Sequence, residues 1–337
     1  MEDSTRRSFG VQLAALGAAQ MLPGCAQTGL PSRPRAGWEP AYLRLYRSGE
    51  LERRVAAFSA MYRSCRLCPR QCGVDRKAGE RGICRGTARV RIAASHPHFG
   101  EERTLVGRYG SGTIFFSRCS LLCEFCQNWE INHRGDGLDT RDEDLARTMI
   151  DLQKRGCHNI NVVTPTHYAP NIVASVAAAI PLGLRIPIVW NCSGYESLEA
   201  VKLLDGIVDI YLPDFKYTDG RAAAKFSRGA ADYPEVAAAA IEEMHRQVGD
   251  LVTDEDGVAL RGLLIRHLVL PDNLAGTDKF VRWVATKLGQ NTYVNIMGQY
   301  RPEYRAHKYP EISRRTTRKE HTQATAWARD AGIRALN

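Results

Sequence analysis

Cys119, Cys123 and Cys126, spaced C-x3-C-x2-C in one short loop after the apolar run Gly112–Ser117, are the residues best able to do chemistry in this 337-residue chain. Three thiolates from one loop can ligate three irons of a cubane cluster and leave the fourth iron without a protein ligand. An open iron can bind a substrate or cosubstrate directly, whereas a four-cysteine cage is closed and suits electron transfer or structure. A partial zinc or disulfide cluster is the alternative. Zinc knuckles show two paired C-x2-C or Cys/His pairs, and this loop carries no fourth ligand.

A second group, Cys65, Cys68, Cys72 and Cys84, reads C-x2-C-x3-C-x11-C on turn-rich chain. Four soft ligands can close a tetrahedral zinc site or an auxiliary iron–sulfur cluster. A small structural metal module is the first expectation, an auxiliary cluster the second, free thiols the third. The spacing differs from the ferredoxin run, so no electron relay is implied. Cys157 and Cys192 stand apart from both groups and read as small buried core residues.

The elements that must position these loops follow from hydrophobic patterning. From Gly112 onward, strand-like runs alternate with helix-like segments, which implies a parallel sheet with crossover helices. The strands expected are Thr113–Ser117, Asn159–Thr164, Ile186–Trp190, Ile207–Tyr211, Leu263–Leu270 and Tyr293–Met297. Thr140 is placed to cap a helix carrying the stripe Leu145, Met149 and Leu152, stopped at Gly156; Glu196–Leu204, Val236–Val248 and Thr277–Leu288 read as further helices. In a parallel α/β barrel functional groups gather at the C-terminal strand ends. Thr164 and Thr166, Asn191 and Ser193, Asp214 and Lys216, and Arg266-His267 all fall at or near such ends.

The cysteine spacing, with Phe125 just before the last thiol, resembles the signature of the radical S-adenosylmethionine (radical SAM) enzymes. The resemblance implies a [4Fe-4S] cluster on Cys119, Cys123 and Cys126, with SAM chelating the unique iron through its amino and carboxylate groups. An injected electron then cleaves SAM to a 5′-deoxyadenosyl radical, which abstracts a substrate hydrogen. The six strand–helix units resemble the partial (β/α)6 barrel of that superfamily. Further pieces are similar to an uncharacterised branch near pyruvate formate-lyase activating enzyme: Pro97-His98-Phe99-Gly100-Glu101-Glu102, Cys126-Gln127-Asn128, Thr164-Pro165-Thr166-His167-Tyr168, Ser193-Gly194-Tyr195-Glu196, Leu212-Pro213-Asp214-Phe215-Lys216-Tyr217 and Arg266-His267-Leu268-Val269-Leu270-Pro271.

By that similarity Asp214 and Lys216 stand at the D-x-K position that contacts SAM, and His267 in a segment that also faces it. Lys216 can pair with the SAM carboxylate and Asp214 can accept from its ammonium or ribose. A core histidine and a surface ion pair are the plain alternatives for His267 and for Asp214-Lys216. Activating enzymes carry a Gly-Gly-Glu-Pro turn after the second strand; here Thr164-Pro165-Thr166-His167 replaces it, which puts simple transfer of glycyl-radical activation in doubt. Thr164, Thr166, Asn191 and Ser193 are the further candidates for SAM contacts. The resemblance also implies a low-potential electron donor of flavodoxin or ferredoxin type and admits a protein substrate. The Pro97–Glu102 stretch either closes over the site or is a solvated connection.

Lys and Arg total 46 against 37 Asp and Glu, a net charge of +9. The run Arg314-Arg315-Thr316-Thr317-Arg318-Lys319 has no interleaved aromatics for base stacking, so it reads as a solvated helix face and no nucleic acid is expected. No 18-residue uncharged apolar run suggests a membrane span. Residues 1–30 read as a twin-arginine signal (Thr5-Arg6-Arg7-Ser8-Phe9-Gly10) with a lipoprotein-like cleavage site at Cys25. SAM and a low-potential reductant are cytoplasmic supplies, which tips the expected location to the cytoplasm over export. The organisation expected is thus a signal at 1–30, a linker, helix and four-cysteine module at 31–100, and a barrel with a C-terminal helix at 101–337. The competing functions are an RNA-modifying radical SAM enzyme, and a non-enzymatic iron–sulfur or zinc protein.

Overall fold

The computed structural model describes residues 37–336, so the signal reading and Cys25 lie outside the described residues. Strand β1 (Val90–His98) runs antiparallel to β2 (Ser111–Phe116) and carries β3 (Leu138–Thr140) on its outer edge. From β2 the sheet continues through β4 (Ile160–Val163), β5 (Ile188–Cys192) and β6 (Ile210–Pro213), each parallel to the last. The two-residue β7 (Val252–Thr253) folds back on β8 (Ala259–Leu268), which continues the parallel series to β9 (Tyr293–Met297) and β10 (Arg334–Leu336). Within this parallel series β2, β4, β5, β6, β8 and β9, the six strands that the sequence predicts, neighbour one another in chain order, so their C-terminal ends open at one mouth.

Helices α1 (Ala41–Arg47) and α2 (Glu50–Ala60) are separated by Gly49, whose φ of 74° a residue with a side chain rarely adopts. The four-residue α3 (Arg103–Val106) precedes β2, and α4 (Asp142–Lys154), α5 (Ala169–Ala179) and α6 (Leu198–Leu203) follow in turn. After β6 come α7 (Gly220–Phe226) and α8 (Tyr233–Val248), then α9 (Thr277–Trp283) and α10 (Arg318–Asp330).

The period of two along each strand divides the core. Ile114, Ile160, Val162, Ile188, Trp190, Leu263 and Ile265 pack outward under the helices. Val189, Ile210, Leu212 and Leu264 point the other way and form a second apolar cluster with Leu105 of α3. That cluster is the barrel interior, and α3 is its floor.

Several expectations change. The third and fourth strands run two to three residues later than the sequence suggests, because buried Asp209 accepts hydrogen bonds from Ala41 N (2.8 Å) and Ile188 N (3.0 Å), leaving Ile207 and Val208 in the approach turn. Thr140 ends β3 and its hydroxyl donates to Leu138 O, so it caps no helix; α4 begins after Arg141. Helix α5 was not expected, because Ala169–Ala179 is apolar nearly all round and shows no stripe. Strand β1 is hydrogen-bonded into the barrel sheet, so the sheet begins ahead of the boundary placed near residue 100.

Candidate active site

The cysteine loop leaves β2 through two left-handed residues, Arg118 (φ 76°) and Leu122 (φ 56°). Cys119 and Cys123 are buried and Cys126 half-buried. Each sulfur receives one donor: Leu121 N to Cys119 Sγ at 3.4 Å, Ser227 Oγ to Cys123 Sγ at 3.2 Å and Asn132 Nδ2 to Cys126 Sγ at 3.3 Å. Donors directed at sulfur favour the thiolate. Burial, then the neighbouring Cys123, pushes the thiols of Cys119 up to about 11 and Cys126 up to about 12, so it is a bound metal that would displace their protons. The loop offers three thiols and no fourth ligand, unlike a zinc knuckle. Three donor-supported sulfurs facing one cleft fit a cluster with one open iron.

Thr164, Asn191, Ser193, Asp214, Lys216 and Arg266 line that cleft together with the three cysteines. Asp214 Oδ2 accepts from Lys216 Nζ at 2.7 Å and Oδ1 from Arg266 Nε at 2.9 Å. Burial alone would raise the Asp214 carboxyl, but the Arg266 guanidinium and then the Lys216 ammonium outweigh it and hold the group below the usual carboxylate range. For Lys216 the balance is inverse: burial lowers the ammonium, and Asp214 and Cys123 more than restore it. Lys216 is therefore a charged donor within electrostatic reach of the Cys123 sulfur.

The network is fixed from two sides. Tyr233 of α8 accepts the Lys216 amide at 2.9 Å, and its hydroxyl lies 2.8 Å from Ser193 O and 3.0 Å from Asp214 O, tying the ends of β5 and β6 together. A Cβ on Gly194 (φ 75°) would stand 2.4 Å from Asp214 O, so only glycine lets this turn press against the Asp214 backbone. From below, Glu101 Oε2 reaches Arg266 Nη1 at 3.3 Å while Arg266 Nη2 donates to Asn191 Oδ1. Thr164 holds φ at 60°, an outlier for a β-branched residue of the kind found at binding sites.

Of the residues singled out from sequence, Cys119, Cys123, Cys126, Thr164, Asn191, Ser193, Asp214 and Lys216 share the cleft. Thr166 does not line it: buried in the turn after β4, it hydrogen-bonds the Glu196 carboxylate. His267 points away as well. Its Nδ1 lies 2.7 Å from Phe215 O, its Nε2 2.9 Å from Thr277 Oγ1, and its ring stacks on Phe280 at 4.3 Å. Adjacent strand residues face opposite sides, so Arg266 enters the barrel and His267 the helix layer; burial lowers His267 to about 4 and keeps it neutral. Cys65, Cys68, Cys72 and Cys84 lie outside the cleft lining. The Pro97–Glu102 stretch does not cover the mouth and is solvated only in part: Phe99 and Gly100 are exposed, while Glu101 turns inward onto Arg266 and Glu102 accepts from Asn295 Nδ2 at 3.0 Å. Arg314 is tied to Asp272 and Glu320 (2.7 Å each) beside the Thr317–Glu320 capping box, which gives it a structural role at the start of α10.

The family model described as the radical SAM superfamily matches residues 113–255. An uncharacterised protein of Methanocaldococcus jannaschii is 33% identical over 284 residues, covering 81% of this chain and 77% of its own. The chain belongs to the radical SAM superfamily. Structures similar to this radical SAM chain include HydG, a maturase of the [FeFe]-hydrogenase (TM-score 0.46, 15% identity, 66% of this chain and 49% of that one). Streptococcus suis SuiB (TM-score 0.42, 10%, 65% and 46%) and methylornithine synthase, PylB (TM-score 0.40, 13%, 89% and 82%), are others. The chain spans about half the length of HydG and SuiB. Membership of the radical SAM superfamily makes the protein an enzyme that uses a [4Fe-4S] cluster and SAM, supplied with electrons by a reduced donor, and cleaves SAM by radical chemistry. No helix among the described residues is long and apolar enough to cross a membrane.

Proposed function

We propose that Cys119, Cys123 and Cys126 hold the SAM-binding cluster, that Lys216, Asp214, Thr164, Asn191 and Ser193 bind SAM, and that the enzyme is an activating-enzyme-like oxidoreductase acting on a partner protein. The observation carrying this reading is that one cleft contains both the three-sulfur loop and the charged donor Lys216, held by Asp214. When bound, cluster and cosubstrate together supply a carbon radical that takes a hydrogen atom. Lys216 pairs with a carboxylate, Asp214 fixes Lys216 and accepts from an ammonium or hydroxyl, and the strand ends keep water from the reacting atoms. The filled barrel interior leaves the mouth as the place where a hydrogen donor is presented, which suits a loop of a partner protein.

An electron donor has a surface to meet. His133 Nε2 lies 3.0 Å from Cys123 O, and Arg305, Arg228 and Arg85 crowd its charge. These three arginines are exposed and pair with no carboxylate among the described residues, which suits an acidic carrier of flavodoxin or ferredoxin type. The deciding experiment is anaerobic reconstitution followed by incubation with SAM and dithionite, with 5′-deoxyadenosine measured. Wild type is expected to form it, and Cys119→Ala, Cys123→Ala and Cys126→Ala to form none. Full SAM cleavage by any one of these variants overturns the site assignment.

A further inference from the structure

Arg76 is the only lysine or arginine among the described residues to be fully buried, at 2% exposure, and it has no carboxylate partner. Its Nη1 donates to His167 O at 2.5 Å and its Nη2 to Thr87 O, the guanidinium lies 4.3 Å over the Tyr62 ring, and its Nε has no partner at all. A desolvated guanidinium needs an anion nearby, and carbonyl oxygens supply only partial charge. Beside the Tyr62 and Tyr168 rings, it faces Cys84. A Cβ built on Gly86 would stand 2.8 Å from Arg76 Nη2 and 3.5 Å from Cys84 Sγ, so guanidinium and sulfur meet across one glycine that must stay bare.

Cys65 and Cys72 of the C-x2-C-x3-C-x11-C group are drawn toward the same place. Cys65 is paired through its backbone with the chain just beyond Cys72, by Cys65 N to Val74 O at 3.0 Å and Gly73 N to Cys65 O at 3.1 Å. A Cβ on Gly82 would come within 2.6 Å of Cys72 Sγ, which brings the Cys84 arm against Cys72. Backbone amides also point at sulfur, Ile83 N to Cys72 Sγ and Gly86 N to Cys84 Sγ, both at 3.4 Å. The second of these repeats the Leu121 N to Cys119 Sγ pattern of the radical SAM loop.

The amide-to-sulfur pattern shared with the SAM-binding loop, and the charge that the buried guanidinium lacks, point to a metal–thiolate centre of the same kind. We propose that Cys65, Cys68, Cys72 and Cys84 hold a second, fully cysteine-ligated iron–sulfur cluster, with Arg76 as its buried counter-ion. Four thiolates around a cubane leave a net negative centre, which supplies the charge that the guanidinium lacks. With every iron ligated by protein, this cluster has no site for SAM.

The full chain, reconstituted anaerobically with iron and sulfide, is assayed for iron, sulfide and zinc and by EPR after reduction. About eight irons per chain are expected, and no zinc. The triple variant Cys119→Ala/Cys123→Ala/Cys126→Ala is expected to keep about four irons with an EPR signal indifferent to added SAM. Cys65→Ser/Cys68→Ser is expected to keep the complementary set, with a SAM-sensitive signal. Should that double variant fail to fold, the triple variant alone decides, and it does so whether or not the assignment of the SAM-binding loop holds. Arg76→Gln is expected to lower the midpoint potential of the SAM-insensitive signal, and Arg76→Lys to restore it in part. One zinc per chain in place of the second set of irons, or a triple variant with no iron, overturns the proposal; an unchanged potential in Arg76→Gln overturns the counter-ion assignment.

Discussion

Asp214 serves two cations with its two oxygens, Lys216 on one and Arg266 on the other, and this division sets what each substitution should do. Charge-assisted hydrogen bonds contribute about 1.5–3 kcal/mol each, so Lys216→Met should weaken SAM binding by about 10- to 100-fold in equilibrium dialysis of the reconstituted protein. Iron content should stay unchanged, which separates lost SAM contact from lost cluster. A different residue governs pH dependence. Desolvation pushes Glu196, hydrogen-bonded to Thr166 and Trp190, up from 4.5 to about 7. The folded state therefore binds a proton that the unfolded chain has released, and stability falls as pH rises from about 4.5 through about 7. Glu196→Gln should flatten that part of the profile by about 3 kcal/mol in urea titrations at a series of pH values. At this scale the sequence was a partial guide. Cysteine spacing and D-x-K can be read directly because both are local patterns, whereas choosing Arg266 over His267 needs the strand's phase, and two adjacent polar residues do not reveal it. Glu101 sat in a stretch already picked out, but nothing local assigned it to Arg266, and Tyr233 carried no local signal; both roles come from the segment after β1 and from α8 meeting the network in space.

Among the elements, the turns after β5 and β2 are the most constrained. Gly194→Ala would set a methyl 2.4 Å from Asp214 O at a positive φ, and should destabilise the fold by about 2 kcal/mol while disturbing SAM binding, which thermal melts and dialysis would register together. The loop after β2 is strapped from outside by Arg70, which lies between Cys68 and Cys72 and donates to Ser120 O at 3.2 Å and Ser227 O at 3.0 Å. Arg70→Ala should leave the global melting temperature within a few degrees, but should speed iron loss from the SAM-binding cluster on exposure to air. The parallel strands were legible because each is a short apolar run closed by polar residues. The helix α5 and the floor segment were not, since one has no polar face and the other is four residues long.

Over the whole molecule, part of the charge excess, Arg85, Arg228 and Arg305, lies on the face proposed for the electron donor. Arg228→Glu/Arg305→Glu should slow turnover driven by an acidic protein donor at least tenfold at low salt, with a much smaller effect on dithionite-driven cleavage; stopped-flow reduction at several ionic strengths would check this. The winding order of six parallel strands was legible because each strand precedes its crossover helix in sequence, but the antiparallel annex of β1 and β3 was not, since nothing in Val90–His98 marks the direction of its pairing. That annex leads into α3, whose Leu105 joins the inward cluster. With Leu105 plugging its base, the vessel is filled, on the reading proposed above, through the mouth where the strand ends meet. Whatever arrives second there shuts in whatever came first, so cosubstrate is expected to bind before the molecule it attacks, and spent nucleoside to leave last. Steady-state kinetics should accordingly show a compulsory sequence.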